Sequence, residues 1–137
     1  MNIRVAEDIG LIDISADELE CVVVNLFSNA IASMDGAHGS LDIVVDAVDG
    51  ETLPKSLKLP AGRIARIVVR DTGEGMSAET TRRIFEPFFT AKSVGQGTGL
   101  GLAQVSGIIK SIDGAIDVQS ELGTGTTMTI YLPVVGK

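Results

Sequence analysis

The sequence predicts an α/β two-layer sandwich, with a mixed, mainly antiparallel sheet packed on three helices. Two observations predict it. Segments that alternate apolar and polar residues are segregated from segments with helical spacing, instead of alternating strictly with them. The length, 137 residues, suits one domain around one core, so residues 1–137 are read as a single unit.

Each element has a local reason. Ile3 and Val5 alternate with polar positions and read as a short edge strand. Ser15-Ala16-Asp17-Glu18 is a capping box, in which Ser15 accepts from the Glu18 backbone N–H and Glu18 reaches back. A helix should then run from about 16 to 34, with Leu19, Val22, Val23, Leu26 and Ala30 as its buried stripe, ended by Gly36 and Gly39. Leu41, Ile43 and Val45 alternate as a strand. Residues 49–62, with Pro54 and Pro60, read as a long hairpin connection. Ile67 and Val69 mark the next strand, which ends at Asp71. Ser77 caps a short helix through about Phe85, and Pro87 stops it. Residues 87–98 lack periodicity and read as a loop. A helix follows from about 99 to 111, with Leu102, Val105, Ile109 and Ile112 inward. Strands near 115–120 and 126–133 close the chain, joined around Gly123-Thr124-Gly125.

Composition excludes several functions. Eleven basic against eighteen acidic residues give a net charge of −7, which argues against a nucleic-acid surface. The single Cys21 has no partner for a disulfide and reads as a core thiol. The longest apolar runs, such as Cys21–Val24, fall far short of a bilayer span, and no signal peptide precedes Ile3. The expectation is a cytoplasmic domain without direct membrane contact, cut from a longer chain whose own anchoring is left open. His38 lies in a Gly36–Gly39 turn and reads as an exposed loop residue, not a phosphoacceptor.

Four segments follow one another: Asn25–Ala30 (NLFSNA), Asp71–Met76 (DTGEGM), Phe85–Thr90 (FEPFFT) and Gly97–Leu102 (GTGLGL). Taken singly, each has a bland explanation. An Asn pair four apart is usually a helix's solvated side, Asp-Thr-Gly is good turn chemistry, and a glycine run can be a flexible connection. Together they offer what a nucleotide site needs. Asn25, Asn29 and Ser33 share one helix face. Gly73 and Gly75 let the backbone after Asp71 turn sharply. Gly97-Thr98-Gly99-Leu100-Gly101 opens a helix, whose free N–H groups attract phosphate. Lys92 can reach a phosphate as a point charge.

The order and residue types resemble the ATP-binding catalytic domain of sensor histidine kinases, whose N, G1, F and G2 boxes they match. That group belongs to a superfamily (GHKL) that also holds Hsp90, gyrase B and MutL. The resemblance runs to Pro133 and implies the Bergerat sandwich, with ATP and Mg2+ as ligands. It implies that Asn29 gives its carbonyl oxygen to magnesium, which favours hard oxygens and keeps several waters. Asp71 would accept from the exocyclic amine of adenine, with Thr126, or Thr127 in its place, as a second contact through water. Asn25, Asn29 and Lys92 would serve phosphoryl transfer. The implied nucleotide contacts are Asn25, Asn29, Ser33, Asp71, Gly73, Gly75, Met76, Phe89, Thr90, Lys92, Gly97, Thr98, Gly99, Leu100, Gly101, Leu102 and Thr126. Phe85, Phe88 and Phe89 would pin a lid by burial, and residues 91–97 would order over the triphosphate.

One position separates two chemistries. Hydrolysing relatives carry a glutamate where this chain has Asn25, and an amide is not a usable base near neutral pH. The implied acceptor is a histidine on a separate dimerisation domain, with a response regulator or receiver domain downstream. The stretch around 54–70 resembles hybrid kinases that carry such a receiver. The chain departs from many kinases at Ala32, where a basic residue is common. Two other readings remain open here: a nucleotide-sensing module without phosphotransfer, and a gyrase- or Hsp90-like ATPase.

Overall fold

The computed structural model describes residues 2–5, 11–12, 14–33, 39–73, 75–86 and 101–136. Strand β1 (Asn2–Val5) and the two-residue β2 (Leu11–Ile12) precede helix α1 (Ala16–Ser33). Then come β3 (Leu41–Asp49), β4 (Arg63–Asp71), α2 (Ala78–Arg83), α3 (Gly101–Ser111), β5 (Ala115–Glu121) and β6 (Gly125–Gly136). One six-stranded sheet runs β1-β3-β4-β6, with β5 and β2 both on the far side of β6. Only β1 and β3 are parallel, so the sheet is mixed and mainly antiparallel as expected.

The capping box forms as read. Glu18 N–H donates to Ser15 Oγ at 3.1 Å, and Ser15 N–H donates to Glu18 Oε1 at 3.2 Å. Ser77 caps α2 by accepting from Thr80 N–H at 3.2 Å. Helices α1 and α3 pack together on one sheet face. Val22, Leu26 and Ala30 of α1 and Val105 and Ile109 of α3 meet Leu41, Ile43, Ala65, Val69, Met128, Ile130 and Leu132 from the strands. The strand residues fall on alternate positions, as a pleated sheet with one covered face requires.

Three expectations need correction. Leu19 lies outside the stripe at 37% exposure and Val23 is only half-buried, while Phe27 packs on the core instead. The stripe follows 22, 26 and 30, and Leu19 sits a turn too early, near the exposed helix start. Cys21 is half-buried and is not part of the core cluster. Strand β2 was not anticipated, because two residues are too few to show alternation. The loop expected over 87–98, and His38, lie outside the described residues.

The opposite sheet face carries polar pairs. Arg66 donates to both carboxylate oxygens of Asp46, Nε at 2.9 Å and Nη2 at 2.6 Å. The two residues are Cα partners across β3 and β4, and Tyr131 is the next partner along the same row. The 49–62 connection holds two short 3-10 turns, Gly50–Thr52 and Lys55–Leu57. It lies close over Ile64, which is fully buried although it faces away from the helices.

Burial pushes the Tyr131 phenol above its ordinary value, and Asp117 adds to this, while Arg66 opposes it. The folded state therefore prefers the neutral phenol. Its contribution to stability is complete below the unfolded value, about 10, and is lost as pH rises through the folded value. Tyr131 is the only tyrosine in a chain without tryptophan. Ultraviolet titration of tyrosinate should show a midpoint above that of the urea-unfolded chain, and Tyr131→Phe should remove the alkaline loss of stability.

Candidate functional site

At the C-terminal end of β4 the apolar inner face turns polar. Asp71 and Thr126 are the buried polar side chains among the described residues, each 6% exposed. They are Cα partners across β4 and β6, and Thr126 is in turn the partner of Ser120 on β5. Strand alternation sends all three side chains to the helix side. The row Asp71–Thr126–Ser120 thus closes one end of the core.

The segment after Asp71 folds back over this row. Gly73 N–H donates to Asp71 Oδ1 at 2.9 Å, an Asx turn that fixes the carboxylate. Thr72 is tied to the start of β3, donating from its N–H to Ser40 O at 3.1 Å and accepting from Ser40 N–H at 2.8 Å. Gly75 has φ +71°, and a Cβ there would fall 2.0 Å from Glu121 O. Met76 N–H then donates to Ser120 Oγ at 2.8 Å. Gly125 has φ +137°, and its Cβ would fall 2.1 Å from Asp71 O. Glycine is needed at both positions for close backbone approach as well as for torsion.

The structure brings Asp71, Gly73, Gly75, Met76 and Thr126 together. Thr127 points to the opposite face, as the partner of Arg70, so the placement beside Asp71 belongs to Thr126. An open depression at this sheet end takes in both faces: Asp71, Ser120 and Thr126 line it, and so do Arg70, Gln119 and Thr127.

Asn25 and Asn29 are half-buried and share one face of α1. The Asn25 amide is held by its own helix, Nδ2 donating to Cys21 O at 2.7 Å and Cys21 Sγ at 3.4 Å. Ser33 closes α1, and its side chain lies outside the described residues. Gly101 is the first residue of α3, and Leu102 packs on the core. Phe85 also packs on the core. Phe88, Phe89, Thr90, Lys92, Gly97, Thr98, Gly99 and Leu100 lie outside the described residues. Among the described residues no cluster of three His, Cys, Asp or Glu side chains could hold a metal, and no helix is long and apolar enough to cross a membrane.

Ser120 is the residue that sequence reasoning missed. Its signal was present: it follows Ile116 and Val118 on the inward positions of β5, where a polar residue is out of pattern.

Residues 14–136 match the family described as histidine kinase-, DNA gyrase B- and HSP90-like ATPase. The chain belongs to this family. Its relatives include sensor kinase CckA of Brucella abortus (strain 2308), 45% identical over 85% of this chain and 12% of that protein. Sensor histidine kinase ZraS of Escherichia coli (strain K12) is 37% identical over 86% of this chain and 22% of that protein. Sporulation kinase E of Bacillus subtilis (strain 168) is 36% identical over 98% and 16%. The chain thus spans less than a quarter of the length of these relatives.

Among solved structures, the nucleotide-free catalytic domain of histidine kinase ThkA superposes with TM-score 0.72 at 27% identity, over 96% of this chain and 76% of that one. Full-length ShkA in complex with AMPPNP gives 0.69 at 28%, over 99% and 26%. The domain is an ATP-binding catalytic domain of the sensor histidine kinase kind, and the sandwich expected from its sequence is present.

Gly125→Ala should damage the site through backbone contact alone. A side chain at that φ costs about 1–3 kcal/mol before any overlap with Asp71 is counted. Thermal unfolding should show this loss, and calorimetry should show ATP affinity lowered at least tenfold while circular dichroism keeps the helical signal.

Proposed function

We propose that residues 1–137 form one domain that binds Mg-ATP and presents the γ-phosphoryl group to a histidine on a separate dimerisation domain of the parent protein. The carrying observation is the buried Asp71 carboxylate, fixed beside Thr126 at the open end of the sheet. A carboxylate there accepts from the adenine amine, whereas guanine offers a carbonyl oxygen and is repelled. Gly73, Gly75 and Met76 would frame the base. Gly97 to Leu102 would hold the phosphates at the α3 N-terminus, with Lys92, Phe89 and Thr90 from the preceding segment.

Magnesium fits the donor set. No described carboxylate cluster competes for it, and Asn29 offers a hard amide oxygen on the α1 face. One protein oxygen suits an ion held chiefly by phosphates and water. When bound, the ion would neutralise phosphate charge. Asn25 contributes no base: its amide nitrogen donates to Cys21, and neither amide atom can deprotonate water. Slow hydrolysis leaves the phosphoryl group for the acceptor histidine. A response regulator or receiver domain would take it next, in the cytoplasm.

Titration calorimetry with ATP and GTP tests the assignment. The domain should prefer ATP, and Asp71→Asn should lose about 1–3 kcal/mol of ATP affinity, because the carboxylate acceptor is gone. Equal affinity for the two nucleotides sinks it. With γ-labelled ATP, label should reach the parent's dimerisation domain and not this chain.

Asn29→Ala removes a half-buried side chain beside the core stripe. Circular dichroism should be unchanged, and the gain in ATP affinity on adding magnesium should largely disappear. An unaltered magnesium dependence takes Asn29 out of the site.

A further inference from the structure

We propose that Ser120 is a positioning residue that sets base specificity, by holding the Thr126 hydroxyl as an acceptor beside Asp71. The inference rests on the adenine reading above. Ser120 Oγ has three neighbours. It accepts from Met76 N–H at 2.8 Å, donates to Gly125 O at 3.0 Å, and lies 2.8 Å from Thr126 Oγ1.

Proton counting decides the third contact. A serine hydroxyl has one proton and two lone pairs. Met76 N–H can only donate, and Gly125 O can only accept. The serine proton goes to Gly125 O, so Thr126 must supply the proton of the remaining contact. All three Ser120 positions are then filled. Thr126, having given its only proton to Ser120, presents lone pairs alone to a ligand.

The consequence is chemical. Asp71 and Thr126 are Cα partners on one face, so two acceptors stand side by side. The amino group of a 6-aminopurine carries two N–H donors and suits such a pair, directly or through one water. The oxygen of a 6-oxopurine meets acceptors only. Without Ser120, the Thr126 proton can rotate toward the base and serve that oxygen. Ser120 also anchors Met76, so its loss should weaken every nucleotide by a common factor, and this factor cancels in a ratio.

The probe is the affinity ratio of ATP to ITP, measured by calorimetry on the full chain. Ser120→Ala should lower the ratio about fivefold, the worth of one net hydrogen bond. Ser120→Thr, which keeps the hydroxyl, should restore it. Thr126→Val should lower the ratio by itself, and adding Ser120→Ala to that variant should change it no further. A wild-type chain that binds ATP and ITP equally overturns the adenine reading and this proposal with it. A wild-type preference that survives Ser120→Ala, or a ratio that still falls when Ser120→Ala is added to Thr126→Val, overturns the role of Ser120 alone.

Discussion

A carboxylate buried at the end of an apolar sheet face needs a hydrogen-bond donor to hold it there. Asp71 is in that position, and much of the neighbouring structure follows from it. The Asx bond to Gly73 turns the chain. The turn brings Gly75 against Glu121 and Met76 onto Ser120. Gly125 lets β6 start directly against the Asp71 backbone. Gly75 and Gly125 sit where backbone meets backbone, so this end of the sheet is built of main chain packed on main chain.

Much of this was legible in the residues. The α1 start could be read from Ser15 and Glu18, because a capping box is a local bond pattern with a fixed spacing. The strands of the core could be read from alternation, since one covered face imposes it. Asp71 could be read as the end of a strand opening a glycine turn, but by itself it fits a plain Asx turn, and only the order of the four segments singled it out. What could not be read depends on neighbours distant in sequence. Ser120 acquires its meaning only when β5 and β6 are in register. The choice between Thr126 and Thr127 is a question of which face, and one residue's slip reverses it. Leu19 fits the helical period yet is left exposed near the start of the helix.

The charge balance and the site fit together. A chain with net charge −7 is a poor host for a polyanion unless positive charge is gathered locally. The described row supplies neutral and anionic groups, Asp71, Thr126 and Ser120, which on the proposed reading would face the base. On the proposed reading, the phosphate end would depend on α3's opening N–H groups, on magnesium and on Lys92. The division is chemically sensible, since the base needs acceptors for its amine and the phosphates need donors and cations.

Strand β6 has a consequence for how the domain is made. It borders β4 on one side and both β5 and β2 on the other, and among the described residues β5 and β2 have no other partner in the sheet. A ribosome delivers β6 after every one of them. Until it emerges, β1, β3 and β4 can form only a half-sheet whose last edge is unpaired, with Asp71 at its end. Leu11 must wait for Gly136, a pairing between residues 125 positions apart in sequence. Completion of the sheet and assembly of the Asp71–Thr126 row are one event. A nascent chain lacks this row, and a ligand that binds there can stabilise only a finished fold.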